Sequence, residues 1–132
     1  MEVEIDKTKP VLIVDDDEVV LRVLGVILKK NRFLDIREAS NGQKGLIMLM
    51  NCFPNFIITD LDMPVMDGLQ LTRQIRRQLK FETVPVLALT ANDTKEIVVK
   101  ALKMGVDSYL IKEGIHEKEG GHAKNRRSFF AS

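Results

Sequence analysis

Short, unbroken apolar runs alternate along this chain with longer stretches in which apolar residues recur every three or four positions. VLIV (residues 11–14) is apolar throughout and stops at DDDE. Runs of that kind suit strands covered on both faces, as in parallel sheets. The spacing then predicts a helix over residues 18–32, through Val20, Val23, Leu24, Ile27 and Leu28. Asp17 is placed to cap it, and Lys29, Lys30 and Arg32 suit the negative end of its dipole. LDIREA (34–39) predicts a second strand and SNG (40–42) a turn. A helix over 43–52 follows, patterned by Leu46, Ile47, Leu49 and Met50. NFIITD (55–60) is a third strand, MPVMDG (63–68) a loop, and 68–80 a helix with Leu71, Ile75 and Leu79 inward. VPVLALTA (84–91) is a fourth strand, with Pro85 at its start, where a missing N–H is tolerable. Residues 94–104 are helical up to Gly105, and DSYLIK (107–112) is a fifth strand.

This alternation predicts an α/β fold, a doubly wound parallel sheet of five strands with helices on both faces. Residues 1–112 read as one domain core without an interior linker. Residues 113–132 form an atypical tail with three glycines and almost no apolar periodicity. A fifth covering helix belongs there and the sequence hardly specifies one; a disordered or appended end is the competing expectation.

Composition narrows the function without setting it. A length of 132 residues fits one domain with one sizeable core. The formal net charge of +1 argues against a chain-wide design for nucleic acid or membrane. KNRRSFF (124–130) mixes basic and aromatic residues but is short, so nucleic acid is not expected as a partner. Arg73, Arg76, Arg77 and Lys80 read as a solvated basic face, and His116 and His122 are not expected to bind metal. The single cysteine, Cys52, reads as a buried inert thiol in a reducing compartment. No apolar run approaches a membrane span, and the charged N-terminus carries no signal core, so a cytoplasmic protein is expected.

The acids carry the chemistry. In a doubly wound sheet, ligands bind at the carboxyl ends of the strands, where strand order reverses. Asp15, Asp16 and Asp17 end the first predicted strand, Asp60 and Asp62 the third, Thr90 the fourth and Lys112 the fifth. Clustered carboxylates raise each other's pKa unless a cation joins them. Oxygen ligands with room for water suit Mg²⁺. A carboxylate held in that way can attack phosphorus, and lysine and hydroxyl donors can hold the phosphoryl oxygens.

VLIVDDD, TDLDMPVMDG, LTA and YLIK, in that order over residues 10–112, resemble the receiver domain of two-component response regulators. The resemblance implies a flavodoxin-like strand order 2-1-3-4-5. It implies Asp60 as phosphoacceptor, Asp16 as a direct Mg²⁺ ligand, Asp15 acting largely through water, and the Asp62 backbone carbonyl as a further ligand. Lys112 would pair with the phosphoryl group, Thr90 would donate its hydroxyl, and Tyr109 would change rotamer with it. Ala91 is small and would leave the donor a way in, while Asp62 and Asn92 would flank the site. The phosphoryl donor would be a histidine kinase or phosphotransfer protein. The domain would catalyse only its own phosphorylation and dephosphorylation, and so would not be an enzyme in the usual sense.

Two departures from the family pattern matter. Glu113 stands where a proline usually follows the lysine, which puts the placement of Lys112 in question. The weak fifth helix would leave one sheet face open, and a second copy of the chain is one expected cover. Val98, Val99, Leu102 and Met104 exceed one buried stripe, so the 94–112 face is expected to meet a downstream protein. Two other functions compete: a pseudo-receiver scaffold that works without phosphorylation, and an aspartyl-nucleophile phosphatase suggested by DLD (60–62).

Overall fold

Every apolar run becomes a strand in the computed structural model, which describes residues 5–91 and 94–112. The strands are β1 (Val11–Val14), β2 (Ile36–Ala39), β3 (Phe56–Asp60), β4 (Val86–Thr90) and β5 (Ser108–Ile111), and all pair in parallel. The strand order is β2-β1-β3-β4-β5, the expected flavodoxin-like arrangement. Connecting them are α1 (Glu18–Lys30), α2 (Gly42–Leu49), α3 (Gly68–Arg76) and α4 (Lys95–Lys103). The expectations about residues 113–132, including the fifth helix, Glu113, His116 and His122, and about Asn92 lie outside the described residues.

Alternate residues of each strand serve opposite faces. Leu12, Val14, Ile57, Val86 and Ala88 pack under α2, α3 and α4, against Leu49, Leu71, Ile75 and Ala101. Val11, Ile13, Phe56, Ile58, Leu87 and Leu89 form the other layer with Val20, Leu24 and Leu28 of α1. Leu87 and Leu89 are buried on that second face.

The helices depart from expectation at their ends. Asp17 caps α1, its carboxylate accepting from the Val19 N–H at 2.9 Å. The helix stops at Lys30 rather than at residue 32, because Arg32 takes a left-handed backbone with φ +70°. α2 starts at Gly42 under an Asn41 cap; of its four pattern residues only Leu49 is fully buried, while Ile47 and Met50 are exposed. α3 begins with a reciprocal cap between Asp67 and Gln70. It ends at Arg76, four residues early, and a 3₁₀ turn over Leu79–Phe81 resets the phase. Phe81 is therefore buried and Leu79, expected inward, is 84% exposed. Gly105, with φ +108°, ends the α4 turn as predicted.

Arg76 is not part of a solvated basic face. Its Nε and Nη2 donate to the Gly105 carbonyl at 3.1 and 2.9 Å, Nη1 donates to the Phe81 carbonyl at 2.9 Å, and Nη2 also meets Asp107 at 2.9 Å.

Candidate phosphoacceptor site

Strand order reverses between β1 and β3, since consecutive connections place β2 on one side and β4 on the other. At that point Asp15, Asp16 and Asp60 each offer a carboxylate oxygen, and the three lie within 4.8 Å of one another. Asp15 and Asp60 are buried and Asp16 is exposed. Lys112 reaches in from the end of β5. Its Nζ lies 3.0 Å from Asp60 Oδ2 and 3.3 Å from Asp15 Oδ1. The Lys112 ammonium thus sits against both buried acids.

Backbone donors complete the arrangement. The Asp17 N–H donates to Asp15 Oδ1 at 2.8 Å and the Asp62 N–H to Asp60 Oδ1 at 3.2 Å. Asp15 Oδ2 is buried and has no hydrogen-bond partner among the described residues. A buried oxygen in that state is costly unless something supplies positive charge or a donor. The donor set is all oxygen and rich in carboxylates, which fits Mg²⁺.

Electrostatics point the same way. Burial pushes the Asp15 carboxyl up from an ordinary 3.8 to about 6, with the neighbouring Asp60 charge adding to the rise and the Asp17 N–H and Lys112 opposing it. Burial also raises Asp60, although Lys112 and the Asp62 N–H pull it down. For Lys112, burial disfavours the charge, but the hydrogen bond to Asp60 and the charges of Asp15 and Asp60 outweigh it, so its pKa is raised. The three carboxylates therefore hold more negative charge than the Lys112 ammonium alone neutralises.

The other expected residues fall around this centre. Thr90 is buried at the carboxyl end of β4, and Ala91 beside it is exposed. Tyr109 pairs in register with Ala88, which places it on the same sheet face as Thr90. It is 40% exposed, so it is not a core tyrosine. The Asp62 side chain is exposed. Two glycines, Gly42 read as a turn residue and Gly68 as a helix start, prove structural. A Cβ on Gly68 would lie 2.1 Å from the Asp60 carbonyl oxygen, and one on Gly42 would lie 2.4 Å from that of Met66. Neither clash is visible in sequence, because both partners are backbone atoms of residues remote in the chain or across a loop.

A doubly wound sheet with buried carboxylates and a lysine converging at its reversal point defines a phosphoacceptor signalling domain. The chain belongs to the response regulator receiver domain family, whose model matches residues 11–119. It is 34% identical over 112 residues to chemotaxis protein CheY-3 of Vibrio cholerae, covering 85% of this chain and 86% of that one. Its fold is similar to that of the receiver domain of sensor histidine kinase PA1611 from Pseudomonas aeruginosa, which has a magnesium ion coordinated in its active-site cleft. That likeness has TM-score 0.74 and 27% identity, over 86% of this chain and 93% of the other. It is also similar to the receiver domain of Ssk1 from Saccharomyces cerevisiae, solved with the histidine phosphotransfer protein Ypd1. Here the TM-score is 0.72 and the identity 30%, over 80% of this chain and 79% of that one. Among the described residues, no helix is long and apolar enough to cross a membrane.

Proposed function

We propose that Asp60 accepts a phosphoryl group from the phosphohistidine of a histidine kinase or phosphotransfer protein. The observation that carries this reading is the Lys112 ammonium set 3.0 Å from Asp60 within a cluster of three carboxylates. A carboxylate oxygen of Asp60 forms the new P–O bond while the P–N bond to the donor imidazole breaks, its electron pair leaving on nitrogen. Catalysis of this type is positioning plus charge stabilisation. The rigid end of β3 positions the nucleophile, exposed Ala91 leaves the approach open, and Lys112 holds a developing phosphoryl charge.

Asp15, Asp16, Asp60 and the Asp62 carbonyl are the groups that would hold Mg²⁺, which when bound supplies positive charge to the phosphoryl oxygens. The partnerless Asp15 oxygen supports this assignment. The domain acts on itself alone and in this reading turns over no separate substrate. A cytoplasmic setting fits such a partner.

Phosphorylation adds roughly two negative charges at Asp60. Thr90 and Lys112 favour that form over the free carboxylate, and this differential biases a two-state equilibrium. Tyr109 and α4 carry the change outward. Val99 and Leu102 of α4 are exposed, and Lys95, Glu96, Lys100 and Lys103 surround Val99 in a shallow hollow. This 94–112 face is the surface offered to a downstream protein.

Intact mass after incubation with Mg²⁺ and a small-molecule phosphodonor tests the reading. One added phosphoryl group on the native chain, absent in Asp60→Asn, is expected. No addition to either would favour the phosphorylation-independent scaffold.

A further inference from the structure

We infer that Gly42, at the first turn of α2, is a positioning residue for the loop that follows Asp60, and so sets how well that loop binds Mg²⁺. The inference rests on the reading of this loop as part of the metal site. Three observations carry it.

The loop is closed at its base, because the Gly68 N–H donates to the Leu61 carbonyl at 3.1 Å. Its outer part is tightly bent: the Met66 N–H donates to the Pro64 carbonyl at 2.8 Å, with Val65 between them at φ +72°. A β-branched residue in the left-handed region is an outlier that persists only where its surroundings hold it. Met63 and Met66 pack against the core, and a further hold on the backbone comes from α2. The first N–H groups of a helix have no partner inside the helix. That of Gly42 donates instead to the Met66 carbonyl at 3.1 Å.

This contact admits glycine alone. A Cβ on Gly42 would lie 2.4 Å from the Met66 carbonyl oxygen, 2.9 Å from its Cγ and 3.0 Å from its Cβ. Any side chain there pushes the loop off the helix or the helix off the loop. Asp62 to Val65 span the gap between the base of the loop and this anchor. Displacement at Met66 therefore displaces the segment that contains the Asp62 carbonyl.

Gly45 provides the control. It lies on the same helix, and a Cβ there would meet Val14 Cγ2 at 3.0 Å, in the core and away from the loop. Isothermal titration of Mg²⁺ into the native chain, Gly42→Ala and Gly45→Ala, at a temperature where circular dichroism shows all three folded, separates position from stability. The expected result is binding to the native chain, about tenfold weaker binding to Gly42→Ala, the size seen when groups behind a metal's ligands are lost, and unchanged affinity in Gly45→Ala. If Gly42→Ala does not fold, Asn41→Ala replaces it. That variant loosens the α2 terminus by removing the cap to the Lys44 N–H and adds nothing against the loop; it should also bind Mg²⁺ more weakly. Native affinity in the substituted chain overturns the inference and leaves the metal site standing. A native chain that takes up no Mg²⁺ overturns both.

Discussion

The Arg76 guanidinium holds the Gly105 carbonyl with two of its nitrogens, at 3.1 and 2.9 Å, across 29 positions of the chain. With its bonds to Phe81 and Asp107, this one side chain ties the end of α3 to the turn after α4 and the start of β5. Arg76→Ala should cost about 3 kcal/mol, since charge-assisted bonds are lost and carbonyls are left short of donors. Arg76→Lys should recover only part, because an ammonium cannot reproduce the planar fork. Urea unfolding of the three proteins measures this; equal midpoints would show the clasp to be dispensable.

Lys112→Met should slow phosphorylation of Asp60 by about 10²-fold, the typical effect of losing one preorganised donor to a developing charge. The substitution also removes the cation that opposes protonation of Asp60. Mass-detected time courses with a small phosphodonor test it, and a rate within a factor of two of native would remove Lys112 from the chemistry.

Stability of chelator-treated protein should fall as pH rises from about 4 to about 6. Asp15 binds its proton more tightly in the fold, where burial raises it to about 6, than in the unfolded chain near 3.8. The unfolded chain thus carries fewer protons in that window, and the fold loses ground by of order 3 kcal/mol. Raised Asp60 contributes in the same direction. Denaturant melts at pH 4 and pH 7 should show this slope, Asp15→Asn should flatten it, and added Mg²⁺ should restore stability chiefly at the higher pH.

Tyr109 is the one tyrosine of a chain without tryptophan, so intrinsic emission reports this residue alone. Mg²⁺ with a phosphate mimic should change that emission in the native chain. Thr90→Val keeps the branched strand residue and removes the hydroxyl. It should leave phosphorylation within a few fold while abolishing the emission change. An unaltered emission change in Thr90→Val would separate Tyr109 from Thr90.

The strands and the acids were legible because their signals are local. A strand buried on both faces is written as an apolar run, and VLIV and FIITD deliver Asp15 and Asp60 to one edge wherever the helices end. Helix ends were less legible. Leu79 fits the 3.6-residue repeat of α3, yet the chain has already left the helix after Arg76, and Phe81 takes the buried place. Arg76 and Gly42 were misread for a shared reason. Their partners are backbone carbonyls of residues far along the chain, and a carbonyl leaves no mark in residue type. Lys112 was legible as the end of the fifth strand, but its particular bond to Asp15, 97 positions away, is a product of sheet order.

That separation has a consequence for how the protein comes into being. The site is drawn from β1, β3 and the end of β5, with Lys112 lying 52 positions from Asp60 and 97 from Asp15. Such long closures form late, after local helices and neighbouring strand pairs. A chain emerging from the ribosome holds its acids long before its lysine. In the proposed reading its full reactivity toward a phosphoryl donor therefore waits until β5 has docked, so a fast response to the signal reports that β5 is in place.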